Sequence, residues 1–176
     1  MKRVKTLVAL LLLVTLGVVL AAEPNTAQQP TAFKTQEPLG EPTMSDVARP
    51  VLAQAYAEAA FTYNFLNYKE NMKRLSNNFT KAGWESFSKA LLQSNTLDTI
   101  IAKKLAMSAE AIDAPVILTK GTLKTGERAW RIQVPLLVVI QGVDIKQETH
   151  RYTVTMIIKH TPAGDKVDSF IATSDK

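Results

Sequence analysis

The sequence predicts an α+β protein in which N-terminal helices pack on a curved antiparallel sheet of about four strands. Between residues 45 and 104, apolar residues recur at helical spacing and are punctuated by capping side chains. From residue 105 onward the pattern changes to strand-like alternation, broken by turn signals. The size is right for one such domain: 176 residues, of which 46% are hydrophobic and 21% charged, is an ordinary globular composition.

The order of segments begins with a leader. Met1 to Thr6 form a short basic stretch, Leu7 to Leu20 an apolar run, and Ala21-Ala22 close it with small residues, so residues 1–22 read as a signal peptide or a short membrane anchor. A helical run of this length rises roughly 21 to 24 Å, short of the ~30 Å hydrocarbon core but close enough to span with bilayer thinning. Both readings send the remainder across the membrane, with the basic residues held on the cytoplasmic side. Lys2, Arg3 and Lys5 also account for most of the formal charge of +5, and the rest of the chain carries 18 basic against 16 acidic residues. That balance leaves no electrostatic footprint for nucleic acid. Residues 23–43 hold Pro24, Pro30, Pro38 and Pro42 among Gln, Thr and Ala, with Phe33 and Leu39 as the large apolar residues. Such a composition buries too little surface to order itself and reads as an extended tether ahead of a folded domain over 44–176.

Four helices are expected next. Thr43, Ser45 and Asp46 offer capping oxygens, Pro50 suits a first turn, and Leu52, Ala55, Tyr56, Ala59 and Tyr63 mark one helical stripe. Lys69 to Ser76 forms a short helix with Met72 and Leu75 turned inward, ended by Asn77-Asn78. Thr80 caps a third helix with Trp84, Phe87, Leu91 and Leu92 on its apolar face, and Thr96 caps a fourth around Leu97, Ile100 and Ile101. Strands follow. Leu105 to Thr119 reads as a first extended stretch, Ala129 to Ile140 as a second, Gln147 to His160 as a third, and Val167 to Ile171 as a last short one. Lys124 to Glu127, Gln141 to Asp144 and Pro162 to Asp165 supply the turns. Pro135 cannot donate a ladder bond, so it predicts an edge or a bulge in the second strand. Trp84 and Trp130 are expected to be buried, one in each layer.

Residue types that carry chemistry are sparse. There is no cysteine, hence no disulfide and no thiol nucleophile, and the 7 glycines are too scattered for a phosphate loop. His150 and His160 share a strand face but lie about 33 Å apart on a continuous strand, too far to hold one metal ion. His160, Asp165 and Ser169 offer triad residue types without a distinctive arrangement. Glu110 and Asp113 are the acids best placed for proton transfer, and with Tyr152 they are the positions where a ligand-binding or enzymatic cavity would show itself. No metal, no cofactor and no catalytic residue is therefore expected. Eight aromatics, Tyr56, Phe61, Tyr63, Phe65, Tyr68, Phe79, Trp84 and Phe87, crowd the helical half. This is more than one small layer usually buries, which makes Tyr63 and Tyr68 candidate contact residues beside the basic side of the second helix, Lys69, Lys73 and Arg74.

Several segments resemble the IcmL/DotI family of type IVB secretion systems and its TraM-like conjugation relatives. They are Asn67-Tyr68, Phe79-Thr80 with Gly83-Trp84 and Phe87, Ala90-Leu91, Ser94-Asn95 and Leu97, followed by Ala114 to Leu118, Trp130, Val134 to Val138 and Val154 to Ile158. The resemblance runs from about Tyr56 to His160. It implies a cone-shaped, nuclear-transport-factor-like domain in the periplasm, soluble after signal cleavage or anchored in the inner membrane. It also implies a non-enzymatic scaffold that works through contacts with other secretion-apparatus proteins, with a paralogue or with further copies of itself. The competing expectation for such a fold is a small-ligand-binding protein or an enzyme with an apolar pocket.

Overall fold

The computed structural model describes residues 44–143 and 145–175. Four helices come first: α1 (Met44–Phe61), α2 (Tyr68–Ser76), α3 (Lys81–Gln93) and α4 (Thr96–Ala102). Six strands form one antiparallel sheet: β1 (Tyr63–Asn64), between α1 and α2, then β2 (Ala106–Ala111), β3 (Val116–Thr122), β4 (Arg128–Gln141), β5 (Glu148–Thr161) and β6 (Gly164–Ser174). The sheet order is β1-β2-β4-β5-β6, with β3 pairing β4 beyond the end of β2. The α+β expectation holds. The two extra strands come from β1, too short to leave a periodic signal, and from the first extended stretch, which splits at Ile112 to Pro115 into β2 and β3.

That split resolves Pro135. It lies in the central strand β4, paired with Thr153 of β5 on one side, rather than on an edge. On its other side β2 ends opposite Leu136 and β3 begins opposite Gln133, so the ladder is already interrupted where proline lacks its N–H. The Pro135 carbonyl still accepts from Ile112 N at 3.1 Å. A proline is tolerated there because its missing donor points into a gap between two strands.

One face of the sheet carries the core. Ile132, Val134, Leu136 and Val138 of β4, Val154, Met156 and Ile158 of β5, and Val167 of β6 are buried against Ala53, Ala57 and Ala60 of α1, Leu75 of α2 and Phe87 of α3. Trp130 is 1% exposed, whereas Trp84 is half-buried at the edge of an aromatic cluster with Phe79, Phe87 and Phe170. On the opposite face Leu123, Ala129 and Ile157 form a small second cluster.

The helices are positioned by local chemistry. Thr80 Oγ1 accepts from Gly83 N at 3.0 Å and donates to Asp168 Oδ1 at 2.8 Å, capping α3 and tying it to β6. Gly83 is required by that approach: a Cβ there would stand 2.5 Å from the Val167 carbonyl oxygen. Thr96 is not the cap of α4 but its first residue. Asn95, in the left-handed region at φ 53°, occupies the cap position. The edges of the sheet are covered by side chains as well. Ala109 N donates to Thr62 Oγ1 and Ala111 N to Glu58 Oε1, so the end of α1 satisfies the outer edge of β2. The α2–α3 connection does the same for β6, through Thr80 N to Val167 O and Val167 N to Asn78 O.

Helix α1 departs from expectation twice. It begins at Met44, so Pro50 lies inside it rather than in its first turn, and Asp46 is buried within the first turn instead of capping a later start, with Arg49 buried beside it. Its inward face is Ala53, Ala57 and Ala60, while Ala55 and Ala59 face solvent and Leu52 is only half-buried. The helix is apolar nearly all round, so periodicity alone could not fix its rotation about its axis.

Candidate functional site

The candidate contact surface is built on α2. Met72 packs against the core and Leu75 is buried, as expected, which leaves Lys69, Lys73 and Arg74 exposed. The loop before α2 is held by reciprocal Asx bonds: Asn64 N donates to Asn67 Oδ1 at 2.8 Å, and Leu66 N and Asn67 N donate to Asn64 Oδ1 at 2.8 and 3.0 Å. Asn71 Nδ2 donates to the Thr62 carbonyl, fixing the helix to the end of α1. Arg74 is oriented by donation from Nη2 to Asn71 Oδ1 at 2.6 Å. Tyr68 is half-buried, with the Lys69 ammonium 5.9 Å from its ring centroid. Tyr63 leaves the surface altogether: it is 2% exposed on β1, its hydroxyl has no hydrogen-bond partner, and burial pushes its pKa up to about 12. None of the eight aromatics of the helical half is exposed. The exposed large apolar residues of the described helices and their loops are aliphatic, namely Val47, Val51, Leu66, Leu92 and Ile101.

The residues considered for chemistry are not brought together. His150 and His160 stand at opposite ends of the continuous strand β5. His150 Nε2 lies 3.4 Å from Glu148, and His160 Nδ1 lies 2.7 Å from Asp165. Ser169 pairs with Ile157, about three ladder positions from His160 and so roughly 10 Å away, which leaves the triad unassembled. Glu110 and Asp113 are exposed. Tyr152 stacks on Phe61 with ring centroids 5.5 Å apart, and burial raises its pKa. Among the described residues no group of three His, Asp or Glu side chains could hold a metal ion.

The sequence reading missed a buried ionic cluster at the start of α1. Asp46 Oδ1 accepts from Trp130 Nε1 at 2.9 Å, and Oδ2 from Lys120 Nζ at 3.0 Å. The Arg49 guanidinium stacks on Trp130, 3.4 Å from the ring centroid. Its Nε lies 2.9 Å from Asp165 Oδ2, an ion pair whose angle is poor for a hydrogen bond, and Nη1 lies 3.6 Å from Asp46. Desolvation would raise the Asp46 pKa, but the bonds from Lys120 and Trp130, with the charges of Lys120 and Arg49, outweigh it and hold the carboxyl below its ordinary value. Burial, and then the Asp165 charge, raise the Tyr56 phenol. The cluster joins α1 to β3, β4 and the start of β6. Its signal in the sequence was an Asp and an Arg three residues apart in an otherwise uncharged stretch, Pro42 to Ala57.

Helices packed on a curled antiparallel sheet form an α+β fold that recurs in periplasmic domains of type IV secretion and conjugation proteins. The periplasmic domain of DotI superposes with a TM-score of 0.72 at 40% identity, covering 77% of this chain and 100% of that one. A periplasmic fragment of TraM has the same fold at 22% identity, with a TM-score of 0.69 over 76% of this chain and 100% of that one. An IcmL-like type IV secretion system protein from Legionella pneumophila shares it at 23% identity, with a TM-score of 0.67 over 78% of this chain and 96% of that one. The chain belongs to the DotI/IcmL family, described as an inner-membrane complex component of the type IVB secretion system, whose family model matches residues 7–174. No curated protein sequence matches it. Among the described residues no helix is long and apolar enough to cross a membrane.

Proposed function

We propose that this protein is a non-enzymatic scaffold of a type IVB secretion or conjugation apparatus, working in the periplasm through protein contacts. Residues 1–22 deliver or anchor it at the inner membrane, and residues 23–43 space the folded domain from that membrane. The observation that carries the reading is the basic side of α2. Lys69, Lys73 and Arg74 are exposed on a helix held by buried Leu75, by Met72 and by the Asn71 bond to the Thr62 carbonyl, beside half-buried Tyr68. A rigid cationic rim docks a partner with little ordering cost and selects an acidic one.

Reversing all three charges to Glu tests it. Transport should fall and envelope crosslinks to other apparatus proteins should weaken, because like charges across an interface cost several kcal/mol, while protein level and melting temperature stay unchanged. Normal transport by the triple variant would reject this docking surface. Single substitutions of His150, His160, Glu110 or Asp113 should leave transport intact. Loss of transport by one of them in a folded protein would replace the scaffold reading with a chemical or ligand-binding site.

A further inference from the structure

The first turns of helix α1 are arranged inside out. Its acidic and basic residues Asp46 and Arg49 are 7% and 6% exposed, whereas Val47 and Val51 are 59% and 66% exposed. Along the solvent side, Val47, Val51, Ala55 and Ala59 follow one another at four-residue spacing, and all four are exposed. No charged side chain interrupts this row. The last acid of the helix, Glu58, is turned to Ala111 N on β2. Beside the row runs an open groove of about 430 Å³ lined by Ala48, Arg49, Val51, Leu52, Ala55 and Asp165.

We infer that this row is the contact between two copies of the chain, with the two α1 helices antiparallel about a two-fold axis near residue 53. The order of residues in the row is the argument. Two large side chains precede two small ones, so antiparallel apposition sets Val47 of one copy against Ala59 of the other and Val51 against Ala55. Each level then holds one valine and one alanine, and each valine has a hollow to enter, which is the self-complementarity that an isologous interface requires. Parallel apposition would set valine on valine and alanine on alanine, leaving the second half of the row out of contact. An uncharged face can meet its own copy without like-charge repulsion. The groove beside Val51 and Ala55 gives the partner's valine further apolar wall.

The area sets the strength. Eighteen residues of helix extend about 27 Å, and a stripe one helix wide covers roughly 300 Å² on each copy. The total of roughly 600 Å² falls below the ~1,000 Å² that a stable interface clears. The pairing is therefore weak in dilute solution and becomes populated where copies are concentrated.

Because the chain has no cysteine, introduced thiols report the pairing without background. Two differently tagged full-length chains, one carrying Val51→Cys and the other Ala55→Cys, are coexpressed and the envelopes oxidised. The expected result is a mixed disulfide several-fold more abundant than the disulfide between two Val51→Cys chains, and more abundant than that from the exposed α3 control Lys89→Cys. Ala59→Arg in both chains should cut the mixed product several-fold at unchanged protein level. The inference is overturned if the mixed product does not exceed the Lys89→Cys control, if Val51→Cys pairs best with itself, or if Ala59→Arg leaves the yield unaltered. These outcomes are independent of the α2 rim, since none of them is read through transport.

Discussion

Replacing Asp46 should damage the fold more than any surface change, and the cluster around it sets the size of the effect. Asp46→Ala removes the acceptor of a buried indole N–H, the carboxylate facing Lys120 Nζ at 3.0 Å and one of two anions near Arg49. Removing one member of a buried charge pair costs about 3 to 5 kcal/mol, because the partner stays behind without compensation. Asp46→Asn keeps an acceptor for Trp130 and loses only the charge, so it should cost less, about 1 to 3 kcal/mol. At roughly 3 to 5 °C per kcal/mol for a domain of this size, the alanine variant should melt about 10 to 20 °C lower. Urea unfolding followed by tryptophan fluorescence would measure both. The pH dependence has a fixed sign. The folded carboxyl titrates below its unfolded value, so its stabilisation is present above about pH 4 and is lost as pH falls through the folded pKa. Asp46→Asn should flatten that acid limb. A loss below about 1 kcal/mol for Asp46→Ala, against the scale of a buried pair, would refute the claim that this cluster fastens α1 to the sheet.

Two further substitutions probe the packing. Gly83→Ala should destabilise by about 1 to 3 kcal/mol through the clash of its Cβ with the Val167 carbonyl, read as a lowered urea midpoint; an unchanged midpoint would mean that α3 can shift off β6. Tyr63→Phe should be neutral or stabilising by up to about 1 kcal/mol, because it removes a buried hydroxyl that has no partner, and a clear loss of stability would reveal a hydrogen bond to that oxygen.

The helical-to-strand transition was legible because it rests on a change of period near Leu105 that does not depend on tertiary contacts. The short helix α2 was legible too, since Met72 and Leu75 are its obvious inward pair amid charges. Helix α1 was not, because it offers apolar residues on every side and only the sheet decides which of them turn inward. Pro50 favoured a later start for α1 than the observed one, since the first turn is held by Asp46 and Arg49 through residues more than seventy positions away. The two half-strands on one edge of β4 read as a single stretch because both are extended; Asp113 and Pro115 marked a turn between them, but only the pairing with β4 shows that the chain changes register there. Tyr63 and Tyr68 looked equivalent as contact residues, and they differ because β1 carries Tyr63 beneath the end of α1. The family resemblance rested on segments that fall on or beside α2, α3, α4, β3, β4 and β5, where packing restricts what a position can hold.

The way α1 seals the β2 edge has a consequence for handling and for variation. Thr62 Oγ1 and Glu58 Oε1 occupy donors that would otherwise be free to zip onto a foreign strand. Losing either oxygen need not unfold the domain, because each bond is a small part of its cohesion. It would instead open a row of backbone groups next to apolar Ala109 and Ala111, and the damage would appear as clumping that grows with concentration. Two polar atoms, one on the last turn of α1 and one just beyond it, thus act as guards against self-adhesion.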